Sequence, residues 1–259
     1  MEAKSERIVR YDDITDNEVK FYENYGYLPL PGFIKQEYIE RLKDEIDEAL
    51  KYAGVDPGKL NSATEVADKL RHSNDYLENS LLDELINGEA SRNIASRLIG
   101  GKAIRYFPFA VVKAGGGGGE FHFHQDNNYT RHDPAEGSIN IWVAMVDMTP
   151  ENGCLQIVPE SNKLGVLESQ NAGDGDDHKT LKNIPEGAIP IRMRAGDAVA
   201  FTRLTVHGSG PNVTSKARYA YALQYHREDV RYLDDDNQWK DLIDLSGTTF
   251  FPRQKGDIN

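Results

Sequence analysis

The chain has 259 residues, 39% of them hydrophobic, which is enough for a substantial core. Its formal net charge of -12 disfavours nucleic acid and anionic membrane surfaces as partners. Cys154 is the single cysteine, so an intrachain disulfide is impossible. The charged N-terminus and the lack of an apolar run of about 18 residues indicate neither a secretory signal nor a transmembrane helix. We therefore expect a cytoplasmic protein.

The first hundred residues are predicted to be mainly helical. Residues 35–54 place charged side chains on one helical face, and Gly54 is a plausible stop. The opposite, apolar face consists of Tyr38, Ile39, Leu42, Ile46 and Leu50. Shorter helices are predicted for 62–73, 79–88 and 89–100. The stretch "GYLPLPGF" before the long helix indicates a short edge strand interrupted by prolines.

From about residue 103 the pattern changes to short runs rich in β-branched and aromatic residues, separated by turn clusters. These runs cover 103–114, 138–147, 154–159, 188–194, 197–202 and 217–226. Consecutive short strands without long helices between them predict an antiparallel sandwich or jelly roll. The long polar segment 165–187 is either a solvated surface insertion or a functional loop.

These patterns predict one domain over 1–259. A helical portion covers about 1–102, a β core covers about 103–230, and an acidic C-terminal extension covers 231–259. The oligomeric state is left open by the sequence.

The stretch "HFHQD" spaces His122, His124 and Asp126 two residues apart, directly after five glycines at 115–119. Alternate residues of a strand share a face, so His124 and Asp126 would point the same way. Imidazole nitrogen and carboxylate oxygen are ligands for a divalent first-row metal, and a second histidine would complete the facial triad of non-haem Fe(II) oxygenases. The same pattern fits an ordinary polar stripe, or a non-redox cupin-like metal-binding protein that uses the two histidines.

A distant histidine and an arginine strengthen the metal interpretation. Of the seven histidines, His207 stands out because it follows the strand 197–202 and opens the turn "HGSGPN". Arg218 lies eleven residues later on a predicted strand, where its alternation partners are Ala220 and Ala222. Such an arginine is either a surface residue or a cavity residue that grips a carboxylate with its planar fork. Together these residues suggest a bound dicarboxylate, one end on the metal and one on the arginine.

Three separated motifs resemble the phytanoyl-CoA dioxygenase-like family. They are "HQD" at 124–126, "INIWVAMVDMTPENGCLQIVPESNKLG" at 139–165 and "HGSGPNVTSKAR" at 207–218, and the opening at 21–46 is also similar. The resemblance implies a double-stranded β-helix (jelly-roll, cupin-like) core with an N-terminal helical region. It also implies Fe(II) as the metal, with 2-oxoglutarate and O2 as cosubstrates.

The family's functional positions fall on residues of this chain. The resemblance makes His124, Asp126 and His207 the iron ligands and catalytic centre, which assigns the metal site to His124 and not to His122. It places the far carboxylate of 2-oxoglutarate on Arg218, with a hydrogen bond from Ser209. Gln125 and Trp142 match positions that line the cosubstrate pocket in some members. The chain departs from the family at "PESNK", where a Gly-Ser-His turn is common.

The resemblance implies hydroxylation of an unactivated C–H bond, with release of succinate and CO2. Asp126 favours hydroxylation over halogenation, because related halogenases carry a small residue there, whereas desaturation and cyclisation stay open. The polar residues around the motif predict a small polar or zwitterionic substrate, although each fits a turn equally well. They are His122, Asn127, Asn128, Tyr129 and Arg131. A catalytically silent binding module is a further alternative.

The five glycines are not expected to form a phosphate loop, because the lysine and following helix of such loops are missing. They predict a flexible hairpin or an entrance flap.

Overall fold

The computed structural model describes residues 7–52, 56–59, 66–71, 80–106, 108–117, 119–173 and 176–242. The helices in these ranges are α1 (Asp16–Tyr25), α2 (Ile39–Tyr52), α3 (Leu81–Asn87) and α4 (Glu89–Ile99). The strands are β1 (Tyr27–Leu30), β2 (Val66–Arg71), β3 (Ile104–Arg105), β4 (Phe109–Lys113), β5 (Phe121–His124), β6 (His132–Asp133), β7 (Ser138–Ala144), β8 (Gln156–Ile157), β9 (Ser169–Gly173), β10 (Asp176–Leu181), β11 (Ile189–Pro190), β12 (Ala198–Thr202), β13 (His207–Ser209), β14 (Arg218–His226), β15 (Arg231–Leu233) and β16 (Trp239–Asp241). Among the described helices, none combines the length and apolar character needed to cross a bilayer.

Three of the four predicted helical segments are confirmed. The apolar face of α2 is buried through Ile39, Leu42, Ile46 and Leu50, as the helical period predicts. Helices α3 and α4 occupy the segments 79–88 and 89–100. The helix predicted for 62–73 is wrong, because its described part is β2, which pairs with β4. Hydrogen bonding to a sheet edge outweighs the local helical pattern there.

The large sheet contains seven strands in the order β1-β12-β7-β14-β4-β2, with β3 also paired to β14. The predicted edge strand at 26–33 is confirmed as β1. Strands β1 and β2, which lie within the mainly helical portion 1–102, both join this sheet. A smaller sheet has the order β11-β8-β13-β5 and packs against the large one, which gives the predicted jelly-roll architecture.

Strand alternation divides the core into two layers. On β7, Ile139, Ile141 and Val143 face the layer that packs against the N-terminal helices. Trp142 and Ala144 face the opposite side, where they meet side chains of the smaller sheet. The alternate residues of β7 that point to the same side as Trp142 therefore lie between the two sheets.

Segment 165–187 is not the unstructured loop that its composition suggests. It contains β9 and β10, which form an antiparallel hairpin beside β5. The His178 ring lies edge-on to Phe121, with ring centroids 5.1 Å apart. In the C-terminal extension, β15 and β16 form a small sheet with β6.

The glycine run lies against a neighbouring loop over its described part. The backbone N–H groups of Gly116 and Gly117 each donate to a carbonyl oxygen at 2.7 Å, those of Thr214 and Asn212 respectively. A Cβ on Gly115 would come within 2.7 Å of the Ser215 carbonyl carbon. Glycine is therefore required at 115 by close backbone approach.

Candidate active site

The structure brings His124, Asp126 and His207 together. One ligand atom from each lies within 4.8 Å of the others. The Asp126 Oδ1 atom is 3.9 Å from His124 Nε2 and 3.7 Å from His207 Nε2. The two histidines are direct cross-strand neighbours on β5 and β13, which explains how residues so far apart in sequence meet. Asp126 is not on β5 as predicted; it begins the 3-10 turn Asp126–Asn128.

Backbone carbonyls fix the tautomer of both imidazoles. His124 Nδ1 lies 2.7 Å from the His122 carbonyl oxygen, and His207 Nδ1 lies 2.9 Å from that of Thr205. A carbonyl oxygen only accepts, so each Nδ1 carries the hydrogen and each Nε2 presents a lone pair toward Asp126. This is the arrangement that metal-ligating histidines adopt.

Two side chains hold Asp126 in place. Asn140 Nδ2 lies 3.4 Å from Asp126 Oδ2, within hydrogen-bonding distance. Arg203 donates to the backbone carbonyls of Asp126 and Thr130 at 2.8 Å each, and it is 5% exposed. The sequence reasoning missed both residues. Arg203 carried no motif signal, because its role depends on the turn that it meets in the fold.

Arg218 is a buried cation whose guanidinium lacks a polar partner among the described residues. It is 1% exposed, and none of its three nitrogens makes a hydrogen bond within the described part of the chain. Its guanidinium carbon lies 5.5 Å from the centre of the Trp142 ring. Burial lowers the pKa of Arg218 to about 10, so the group stays charged at neutral pH. A buried, charged and unpaired guanidinium is the expected state of a site for an anion.

Lys113, which the sequence reasoning did not select, lies directly opposite Arg218 in the sheet register. It is fully buried and donates to Ser209 Oγ at 2.7 Å, and also to the Ser209 and Gly210 carbonyls. Burial, and then the charge of Arg218, lower the pKa of Lys113 to about 6. The one available signal was a lysine at the end of the apolar strand "FAVVK".

A cavity reaches from the triad to Ser209. Its walls are largely apolar and include Phe109, Val111, Phe121, Trp142 and Leu155. Trp142 and Ser209, for which the resemblance implies contact with the cosubstrate, both line this cavity. The Trp142 Nε1 donor is buried and has no hydrogen-bond partner among the described residues.

Gln125 does not lie in this cavity, contrary to the pocket-lining role predicted for it. Its amide nitrogen donates to the carbonyls of Gly165 and Leu204, and its amide oxygen accepts from the Leu167 N–H. The side chain therefore ties three loop segments together and has no capacity left for a cosubstrate.

The residues predicted to contact substrate fall into three groups. Asn127 is buried and accepts from the His132 N–H, and Asn128 caps the Gln125 N–H and donates to the Leu167 carbonyl. Both are thus occupied in holding the turn. The Tyr129 ring packs edge-on against His124, with centroids 5.2 Å apart.

His122 and Arg131 do not join the triad. The His122 side chain is 42% exposed, with Nδ1 3.7 Å from Glu120 Oε1, and Arg131 is exposed. Neither residue is part of the cavity wall.

The donor set fits Fe(II) and 2-oxoglutarate. Two imidazole Nε2 atoms and a carboxylate oxygen form the two-histidine, one-carboxylate set of non-haem iron oxygenases. The orphaned guanidinium of Arg218 and the unpaired Trp142 donor provide the hydrogen bonds that a buried dicarboxylate needs. Fold and site together define an iron- and 2-oxoglutarate-dependent oxygenase of the jelly-roll class.

Sequence comparison gives the family. The model of the phytanoyl-CoA dioxygenase (PhyH) family matches residues 22–220, and the chain belongs to this family. It is 25% identical over 256 residues to a phytanoyl-CoA dioxygenase of Arabidopsis thaliana, covering 83% of this chain and 90% of the relative. It is 27% identical over 218 residues to a methylphosphonate hydroxylase of Gimesia maris, covering 82% and 81%.

Solved structures agree on the fold. The carbocyclase SnoK from nogalamycin biosynthesis aligns with a TM-score of 0.66 at 20% identity, covering 85% of this chain and 86% of that one. The epimerase SnoN, solved with Fe3+, alpha-ketoglutarate and nogalamycin RO, aligns with a TM-score of 0.63 at 19% identity, covering 84% and 85%. At these identities the likeness establishes the architecture, while the reaction differs from one neighbour to the next.

Proposed function

We propose that this oxygenase hydroxylates an unactivated C–H bond of a small organic substrate and releases succinate and CO2. In this proposal His124, Asp126 and His207 bind Fe(II), and Arg218 binds the far carboxylate of 2-oxoglutarate. Lys113 and Ser209 complete the binding site for that carboxylate, and the whole chain works as one domain. The observation that carries the proposal is the buried Arg218 guanidinium, which has no hydrogen-bond partner in the described part of the chain. It lies in the same core as the two-histidine, one-carboxylate group.

Bound Fe(II) and 2-oxoglutarate supply the oxidising power, and the protein supplies binding, orientation and exclusion of water. The Nδ1–H bonds to backbone carbonyls keep both Nε2 lone pairs directed at the metal position. Asn140 binds the outer oxygen of Asp126, which leaves Oδ1 on the side of the histidines. Arg203 holds the turn that carries Asp126.

Near Ser209, at the other end of the cavity, Arg218 and Lys113 together favour an anion. Arg218 keeps its charge when buried, and its planar fork matches a carboxylate. Lys113 is mostly neutral near pH 7 without an anion, because burial and Arg218 lower its pKa. An incoming carboxylate favours the ammonium form, so Lys113 takes up a proton as the anion binds. The apolar walls between the two ends exclude water from the reacting atoms.

The presence of Asp126 favours hydroxylation over halogenation, because the carboxylate fills the position that a halide would need. The isotope content and the mass of the product distinguish hydroxylation from the other reactions. With 18O2, a hydroxylase transfers one labelled oxygen atom to the substrate and one to succinate. A desaturase or cyclase gives product without label, and an epimerase gives product of unchanged mass.

The experiment is a succinate-release screen under Fe(II), 2-oxoglutarate and 18O2, followed by mass spectrometry of any compound consumed. Labelled product in a 1:1 ratio with succinate supports hydroxylation. Unlabelled product means another reaction on the same scaffold. An Asp126→Ala protein serves as the control, because it should form no succinate under the same conditions. A wild type that forms no succinate with any compound, and binds neither Fe(II) nor 2-oxoglutarate, contradicts the proposal.

A further inference from the structure

The inner face of the large sheet carries two amide side chains beyond the apolar stretch that follows Arg218. Along β14, Ala220 and Ala222 pack in the layer between the sheets, and the next residue of the same parity is Gln224. Gln224 is the direct cross-strand partner of Asn140 on β7. Directly opposed residues of antiparallel strands place their side chains together on one face.

Asn140 connects this pair to the predicted metal site. It is 2% exposed and lines the cavity together with His124, Asp126 and His207. Its Nδ2 lies against Asp126, whereas its Oδ1 is buried and has no hydrogen-bond partner in the part of the chain that the structure describes. A buried acceptor without a partner destabilises the fold. A hydrogen-bond donor on a ligand in the cavity would satisfy it.

Gln224 is 7% exposed, and its side-chain amide makes no hydrogen bond to the described residues. Its backbone carbonyl accepts from the Tyr106 N–H. Two neighbouring amides, of which Asn140 lines the cavity beside the triad, therefore present unused donor and acceptor capacity. Asn140 Oδ1 can accept a hydrogen bond, and the Gln224 amide can donate one.

The surroundings of this pair favour a neutral ligand group. One step further along the sheet, Ser138 faces His226, and Ser138 Oγ lies 2.9 Å from His132 Nδ1. Burial lowers the pKa of both His132 and His226, so both rings are neutral at pH 7. The charge of Arg203 also lowers the pKa of His132, but its guanidinium is occupied by two carbonyls and Asn127 Oδ1.

We infer that Asn140 and Gln224 form the substrate-recognition pair, which binds an uncharged hydroxyl or carboxamide group of the substrate beside the triad. The substrate hydroxyl donates to Asn140 Oδ1 and accepts from the Gln224 amide, and this fixes the neighbouring C–H bond against the metal position. The inference rests on the proposed oxygenase function and narrows its substrate class. The recognition pair should select against substrates that place a carboxylate, a phosphonate or a hydrocarbon group at this end of the cavity.

The test is a matched panel on the cyclopentyl and cyclohexyl skeletons, with alcohol, carboxamide, carboxylate, phosphonate, amine and methyl members. Substrate-stimulated succinate formation is measured with Fe(II) and 2-oxoglutarate. The alcohol and carboxamide members should stimulate the wild type. Gln224→Met, which keeps the side-chain length, should lower their kcat/KM by about 10- to 100-fold, with the KM for 2-oxoglutarate unchanged.

Two further variants separate recognition from structure. Gln170→Met makes the same change at an exposed position of β9 and should behave as wild type. Gln224→Glu should shift the preference of the panel toward the amine members, a result that a purely structural role does not give.

Several results would overturn the recognition pair. They are stimulation confined to carboxylates, phosphonates, amines or hydrocarbons, no stimulation by any member, or an unchanged response in Gln224→Met. A Gln224→Met protein that no longer binds Fe(II) and 2-oxoglutarate would also overturn it. A wild type that itself fails to bind them refutes the proposed function, so the two failures are distinct.

Discussion

Replacing Arg218 with methionine tests the cosubstrate site most quantitatively. Methionine keeps much of the side-chain volume and removes the charge and the fork. A hydrogen bond to a charged group contributes roughly 1.5–3 kcal/mol, and the guanidinium offers two in parallel to a carboxylate. Because Lys113 remains as a second cation, we take the lower value for each of the two hydrogen bonds. Their sum, about 3 kcal/mol, corresponds to a factor of about 100 in the affinity for 2-oxoglutarate. We therefore expect the KM for 2-oxoglutarate to rise about 100-fold.

The assay measures succinate against 2-oxoglutarate concentration, beside an anaerobic Fe(II) titration of the same protein. Fe(II) affinity should stay within about two-fold of wild type, because the three predicted ligands are untouched. Arg218→Lys is the matched control; it keeps the charge without the fork and should give an intermediate KM. An equal loss of Fe(II) and 2-oxoglutarate affinity, or an unchanged KM, refutes the reasoning.

The same variant makes an unusual prediction for stability. Most large buried side chains stabilise the fold, so their replacement lowers Tm. Arg218 is buried without a hydrogen-bond partner among the described residues, so its loss should not lower the Tm of the protein without 2-oxoglutarate. Added 2-oxoglutarate should raise the Tm of wild type and leave that of Arg218→Met unchanged. A large drop in Tm would mean that the guanidinium is structural.

Three further predictions concern Lys113, Arg203 and Leu42. The pKa of Lys113 is lowered to about 6, and a bound carboxylate raises it, so the KM for 2-oxoglutarate should increase as pH rises above about 6. Because the unfolded chain still binds this proton above pH 6, the free energy of unfolding should also rise with pH there, and Lys113→Met should flatten both profiles. Arg203→Met should weaken Fe(II) binding by about 10-fold in an anaerobic titration with little change in the KM for 2-oxoglutarate, and a reversed pattern contradicts its assigned contact with the Asp126 turn. Leu42→Ala in the buried face of α2 should lower the free energy of unfolding by about 2–5 kcal/mol in urea titration, and a loss under 1 kcal/mol would contradict that burial.

Elements with a strong local period were predictable from the sequence. The helical period of α2 and the alternation along β7 and β14 reflect which side chains are buried, so the pattern survives in the fold. Strand β2 was not predictable in this way, because its pairing with β4 is a non-local interaction. The β9–β10 hairpin lacks an apolar alternation, since much of it is exposed, and its composition resembles a loop.

The residues of the functional site show the same difference between local sequence signals and contacts that arise only in the fold. Motif spacing and family resemblance selected the residues that the structure groups as His124, Asp126 and His207. Lys113 and Asn140 were missed because their hydrogen-bond partners come from other segments of the chain, Ser209 in one case and Asp126 in the other. Gln125 matches a pocket position by sequence, yet its amide is occupied by loops that a motif does not reveal.

The most direct test of the central claim is the visible absorption of the protein with Fe(II) and 2-oxoglutarate under anaerobic conditions. We expect a weak charge-transfer band in wild type, formed with one Fe(II) and one 2-oxoglutarate per chain. The band should be absent in Asp126→Ala and recovered in Arg218→Met only at much higher 2-oxoglutarate. No band in wild type, or an undiminished band in Asp126→Ala, would contradict the account.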